Sequence, residues 1–126
     1  MKLRIRGNSV RFRVTKGELD AIAEAGSAED AVRFSPTAEL RYRIDVKSSG
    51  PVTAAFEGSS VKVVLPRPLV ERWLGAEEVS IYAEQPLGEG GVLKILVEKD
   101  FTCLAPRDDE DDSDLFANPQ KTAAGE

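Results

Sequence analysis

Two short runs of strict apolar–charged alternation meet at Gly7-Asn8, and no other feature restricts the fold of this chain so tightly. Leu3 and Ile5 alternate with Lys2, Arg4 and Arg6, while Val10, Phe12 and Val14 alternate with Arg11 and Arg13. A period of two on both sides of a Gly-Asn pair predicts a β-hairpin with a two-residue loop. That loop length sets the register. Arg6 faces Ser9, Ile5 faces Val10, Arg4 faces Arg11, and Leu3 faces Phe12. Apolar side chains gather on one side of the hairpin and arginines on the other. Arg4 directly opposite Arg11 costs roughly a few tenths of a kcal/mol unless an anion or a carboxylate intervenes.

The pattern after the hairpin changes period. Thr15 stands three residues before Glu18, the spacing of a capping box, and Leu19, Ile22 and Ala23 form a helical stripe that Gly26 closes. A strand follows around Ala31–Phe34, then a turn at Ser35-Pro36-Thr37. The next strand carries Leu40, Tyr42, Ile44 and Val46 on one side. After Ser48-Ser49-Gly50-Pro51 the same order returns. Residues 54–57 lead through Gly58-Ser59 into the strand 60–65. Pro68 then opens a helix with Leu69, Val70, Trp73 and Leu74, ended by Gly75 and Ala76. Strands at 79–82 and 92–97 flank a glycine-rich turn from Leu87 to Gly91.

At an offset of 51 residues Gly7 pairs with Gly58, Ser9 with Ser60, Arg11 with Lys62, Ile5 with Phe56, Leu19 with Val70, and Ile22 with Trp73. Each half reads strand–strand–helix–strand–strand, which we take as an internal duplication with pseudo-repeats 1–48 and 52–99. The expected fold is α+β. It has about eight mainly antiparallel strands and two helices, arranged as a curled sheet or a barrel.

Charge divides the chain in a second way. The full 126 residues carry a net charge of −5, yet residues 1–50 hold net +3 and residues 51–106 net −3. The remainder holds 2 basic and 7 acidic residues and so supplies the whole −5. We therefore expect one domain over residues 1–105. Residues 106–126, with the run Asp108–Asp114, form an acidic tail, disordered or docked, whose apolar handle is Leu115-Phe116.

Several stretches together resemble a family of small bacterial proteins that carries only an uncharacterised-domain label. They are the opening Met1–Ser9 with Arg11 and Arg13, then Phe56-Glu57-Gly58, Glu84–Gly88, Leu96–Phe101 with Cys103-Leu104, and the tail ending in Asn118-Pro119. The resemblance implies a bacterial, single-domain protein without an assigned activity, and it transfers no catalytic residue.

The residues themselves exclude much. There is no histidine, which removes Ser-His-Asp and Cys-His pairs, His-ligated zinc and an unperturbed imidazole acid or base. One cysteine, Cys103, allows no internal disulfide and has no His-type base beside it. With no export leader and no long apolar run, a reducing cytoplasm is expected, away from membranes. The acidic run lacks the spacing of an EF-hand loop, and the glycine-rich stretch 84–91 precedes a strand rather than a helix, so it reads as a turn. No cofactor is expected.

What remains is the arginine face. Arg4, Arg6, Arg11 and Arg13, joined by Arg41 and Arg43 from the neighbouring strand pair, are the candidate anion-binding residues, because guanidinium forks match phosphate and carboxylate oxygens. The competing structural reading is a set of ion pairs with Glu39, Asp45, Glu57, Glu84 and Glu98. The expected function is a non-enzymatic binding protein. Its anionic partner is the chain's own tail, a neighbouring subunit in a homo-oligomer, or a phosphate or carboxylate ligand. The alternative is a metal-dependent phosphoanion hydrolase built like the triphosphate tunnel enzymes, with charged side chains lining a bore; their Glu-x-Glu-x-Lys signature is absent, and Leu3-Arg4-Ile5-Arg6 stands near its place. Nucleic-acid binding is a further alternative, opposed by an overall pI near 4.9 and by aromatics that fall in the apolar register.

Overall fold

A computed structural model of the chain describes residues 1–75 and 80–100. The expected tail, Cys103 and Val79 lie outside the described residues. The order of elements is β1 (Lys2–Ile5), β2 (Ser9–Val14), α1 (Lys16–Ala25), β3 (Ser27–Ser35), β4 (Ala38–Lys47), β5 (Thr53–Glu57), β6 (Ser60–Pro66), α2 (Arg67–Leu74), β7 (Ser80–Pro86) and β8 (Val92–Lys99).

The first hairpin has the register that its loop length dictates. Leu3 lies opposite Phe12, Arg4 opposite Arg11 and Ile5 opposite Val10, and the Arg6 N–H donates to the Ser9 carbonyl at 3.2 Å. Gly7 occupies φ +56°, as Gly58 does at +62° in the β5–β6 turn; only glycine enters that left-handed region without strain. Helix α1 begins with the full capping box. The Glu18 amide donates to the Thr15 hydroxyl at 3.2 Å, and the Thr15 amide donates to the Glu18 carboxylate at 2.9 Å. Gly26, at φ +87°, ends the helix. Helix α2 has no side-chain cap and relies on Pro68 in its first turn.

The strands form two four-stranded sheets, ordered β1-β2-β8-β7 and β3-β4-β6-β5. Neither closes on itself, so the curled sheet or barrel becomes two open sheets around one core. Both are mixed. The outer pairs are antiparallel, whereas the central pairs, β2 with β8 and β4 with β6, are parallel. Each sheet therefore joins one hairpin from the first half of the chain to one from the second. The joins are equivalent: Ser9 pairs with Lys94 as Ser60 pairs with Arg41, and the Asn8 and Ser59 carbonyls accept from Lys94 and Arg41 N–H groups at 3.1 and 2.8 Å.

The core takes Phe12, Val14, Ile81, Ile95 and Val97 from the first sheet and Tyr42, Ile44, Val63 and Leu65 from the second. The helices add Leu19, Ile22, Val70 and Trp73. Full burial of one aliphatic side chain of this kind is worth about 1.5–3 kcal/mol. Phe12 meets Tyr42 across the gap at a centroid separation of 6.5 Å. At one flank the Gln85 side chain stands in for a missing strand, accepting from the Ala54 N–H at 2.8 Å and donating to the Ala54 carbonyl at 3.0 Å. Four residues in the apolar register stay exposed: Ile5 at 61%, Val32 at 40%, Phe34 at 72% and Phe56 at 68%. Phe34 falls where the β3–β4 register shifts between Arg33 and Ser35, and β4 there runs past its first pairing with β6 at Arg41.

Candidate anion-binding face

The alternation that buries Phe12 and Val14 turns Arg11 and Arg13 outward, and Arg4 with them. The parallel β2–β8 ladder then brings residues from the far end of the chain onto the same outer face. Arg11 lies beside Leu96, which lies beside Tyr82, and Ser9 lies beside Lys94, which lies beside Glu84. Outward positions of this sheet, with Arg6 at its turn and Asp100 just past β8, hold six cations (Lys2, Arg4, Arg6, Arg11, Arg13 and Lys94) and three carboxylates (Glu84, Glu98 and Asp100), net +3. The outward positions of the second sheet hold five cations and four carboxylates, net +1.

The six arginines expected to share one site are thus divided. Arg4, Arg6, Arg11 and Arg13 lie on the first sheet, Arg41 and Arg43 on the second. On the second sheet carboxylates occupy the guanidinium groups. Arg43 is held by Asp45 at 2.7 Å and by Glu29 at 3.1 Å, and Arg41 by Glu29 and, at 2.7 Å, by Glu39. Hydrogen bonds to Asp45 for Arg43, and to Glu29 for Arg41, raise both guanidinium pKa values still further. Here the structural reading of the arginines applies.

The first sheet is graded along its strands. Near the C-terminal end of β8 it is paired: Glu98 accepts from Arg11 Nη2 at 2.8 Å and Arg13 Nε at 2.9 Å, and Asp100 lies 3.3 Å from Lys2 and 3.8 Å from Arg13. Burial pushes the Glu98 carboxyl up, but the two arginine hydrogen bonds and their charges outweigh it and hold the group below the usual carboxylate value. Toward the Gly7 turn the balance is different. Arg4 and Lys94 make no ion pair among the described residues. Glu84, the ladder partner of Lys94, instead accepts from the Tyr82 hydroxyl at 2.7 Å, a bond that raises the Tyr82 pKa. Arg11 keeps a buried Nε–H that no acceptor meets among the described residues. Arg4, Arg6, Arg11, Tyr82, Lys94 and Leu96 line a hollow of about 310 Å³ on this part of the face.

A family described as "Family of unknown function (DUF7009)" matches residues 1–120. The chain belongs to this family. No curated protein and no solved structure matches it. Membership gives the chain a lineage without a reaction, so the chemistry of the face has to be read from its residues.

Lys94 and Tyr82 were outside the expected set. Both alternate correctly with inward neighbours, Ile95 and Ile81, and that parity was the available signal for an outward side chain. Their place beside Arg11 depends on a strand pairing across more than 80 residues. The tunnel arrangement requires basic side chains between the sheets. That space is filled by Phe12, Tyr42, Ile44, Ile95 and their neighbours, and the described arginines face away from it. Among the described residues no three acidic or sulfur-bearing side chains are grouped to hold a metal ion. The stretch 84–91 is a turn between β7 and β8, with Gly88, Gly90 and Gly91 at positive φ. No helix among the described residues is long and apolar enough to cross a membrane.

Proposed function

We propose that the protein is a non-enzymatic binding module whose first sheet takes up an anionic partner through Arg4, Arg6, Arg11 and Lys94. Phosphate or carboxylate oxygens are the chemistry these groups recognise, whether on a ligand, a neighbouring subunit or the chain's own tail. One contrast carries the reading. If the halves are a duplication, as their common element order and matched ladders suggest, each outward position has a counterpart on the other sheet. The counterpart of Arg4 is Ala55, that of Arg6 is Glu57, and that of Tyr82 is Glu29. The second sheet places a neutral and an acidic residue where the first places Arg4 and Arg6, while Arg11 and Lys94 have cationic counterparts in Lys62 and Arg41. Cations gathered against their own repulsion, with a buried Arg11 N–H that meets no acceptor among the described residues, favour an anion from outside the sheet.

The test is retention of the full chain on immobilised inorganic polyphosphate at low ionic strength, followed by a salt gradient. An Arg4→Gln/Arg6→Gln/Lys94→Gln triple variant is expected to elute at markedly lower salt than the parent. An Arg33→Gln/Lys62→Gln control, which removes cations from the second sheet, is expected to elute with the parent. Co-elution of the triple variant with the parent would overturn the proposal.

A further inference from the structure

The anion-binding reading leaves open what faces these cations when no ligand is present, and the chain itself contains a strongly matched candidate. Residues 108–114 (Asp-Asp-Glu-Asp-Asp-Ser-Asp) hold six carboxylates in seven positions. Their tether begins on the face in question. Asp100 follows β8, donates its N–H to the Val14 carbonyl at 2.8 Å, and sets its carboxylate against Lys2 and Arg13.

The distances permit the contact comfortably. Alternate residues along a strand are spaced by about 6.6 Å, so the step from Arg13 to Arg11 to Ser9, beside Arg6 and Lys94, covers about 13 Å. Asp108 lies eight positions beyond Asp100, and an extended chain of that length reaches about 26 Å. A segment tethered this closely presents its end at an effective concentration in the millimolar range. Charge complementarity does the rest, since an anionic run held at that concentration meets a patch of net +3 through a low cost in chain freedom.

We infer that segment 108–114 occupies the Arg4/Arg6/Arg11/Lys94 face of its own chain and competes there with external anions. This rests on the anion-binding reading above and adds to it a regulatory element: the partner must displace the tail, so binding is weaker than the face alone would allow. The paired end of the sheet supports the direction of approach, because Asp100 already makes the first of these acidic contacts and Arg4 and Lys94, which make no ion pair among the described residues, lie further along the same sheet.

The experiment uses the full chain throughout, with the tail neutralised in place as D108N/D109N/E110Q/D111N/D112N/D114N. Calorimetric titration with inorganic tripolyphosphate at low ionic strength is expected to give binding about tenfold tighter for the neutralised-tail variant than for the parent. The gain should vanish when Arg4→Gln/Arg6→Gln/Lys94→Gln is added, and it should shrink steeply with salt. Amide resonances of Arg4 and Arg11 should also move on tail neutralisation without ligand. If the parent and the tail variant bind equally while the face variant loses binding, the tail inference fails and the anion-binding reading stands. If none of the three binds, both fail. A gain that persists in the face-neutralised background would mean general charge repulsion, and parent resonances that shift with protein concentration would mean docking onto a second copy; either result overturns the inference.

Discussion

Glu98 is the side chain on which the paired half of the first sheet depends, and replacing it with Gln isolates the worth of its charge. Its side chain is 12% exposed, and one oxygen accepts from both Arg11 and Arg13, whose own side chains are 35% and 33% exposed. A hydrogen bond to a charged group contributes about 1.5–3 kcal/mol when well shielded, whereas fully exposed ion pairs give about 0–1 kcal/mol. Two bonds that share one acceptor and reach into water at the arginine end fall between these limits. We therefore expect Glu98→Gln to cost about 1.5 kcal/mol at neutral pH, or roughly 5–8 °C in Tm for a domain near 100 residues. The pH dependence follows from the direction of the Glu98 shift. Its carboxyl titrates below the usual value in the folded state, so the stabilisation is complete above the unfolded carboxylate pKa of about 4.3 and disappears as pH falls through the folded value. Thermal melts of parent and variant, followed by circular dichroism across that range, should converge in acid. A difference under about 2 °C at neutral pH, or one that stays constant into strong acid, would refute the assignment of a stabilising charge to Glu98.

Two further substitutions test the other parts of the architecture. Arg4→Gln removes a cation that lies opposite Arg11 without an ion pair among the described residues, so urea unfolding at low salt should show a gain of roughly a few tenths of a kcal/mol. That gain should vanish at about 1 M salt, where the Debye length is near 3 Å; a loss above about 2 kcal/mol would instead identify Arg4 as a structurally paired charge. Trp73→Ala empties a fully buried position on α2 and should cost about 3–5 kcal/mol in the same assay, and a cost under about 1.5 kcal/mol would remove Trp73 from the centre of the core.

The parts of the fold that were legible in the sequence are those fixed by neighbours along the chain. Gly7-Asn8 with alternating flanks determines a hairpin register because a one-residue slip would bury arginines, and Thr15 with Glu18 determines a helix start because both partners lie within one turn. The parallel pairing of β2 with β8 has no such local determinant. Val10 and Ile95 suit each other no better than Val10 and many other β-branched residues would, and only the closing of the whole core selects the pair. This is also why six arginines looked like one site. Parity alone turns each of them outward, but it says nothing of which sheet each belongs to, and α1 carries the chain from the first sheet to the second before Arg41 and Arg43 are reached. Phe34 failed for a local reason: the register shift between Arg33 and Ser35 interrupts the alternation there.

The two sheets also act as controls for one another. Both have the same strand order, the same mixture of parallel and antiparallel pairs, and matched ladder positions, so whatever the fold requires of an outward side chain it requires of both. The second sheet satisfies that requirement with Ala55, Glu57 and Glu29, and it neutralises Arg41 and Arg43 internally. Arginine at positions 4 and 6 is therefore no condition of folding, and position 4 had an uncharged solution available. The cationic excess at positions 4 and 6 therefore needs a reason other than folding, and uptake of an anion, as proposed above, supplies one.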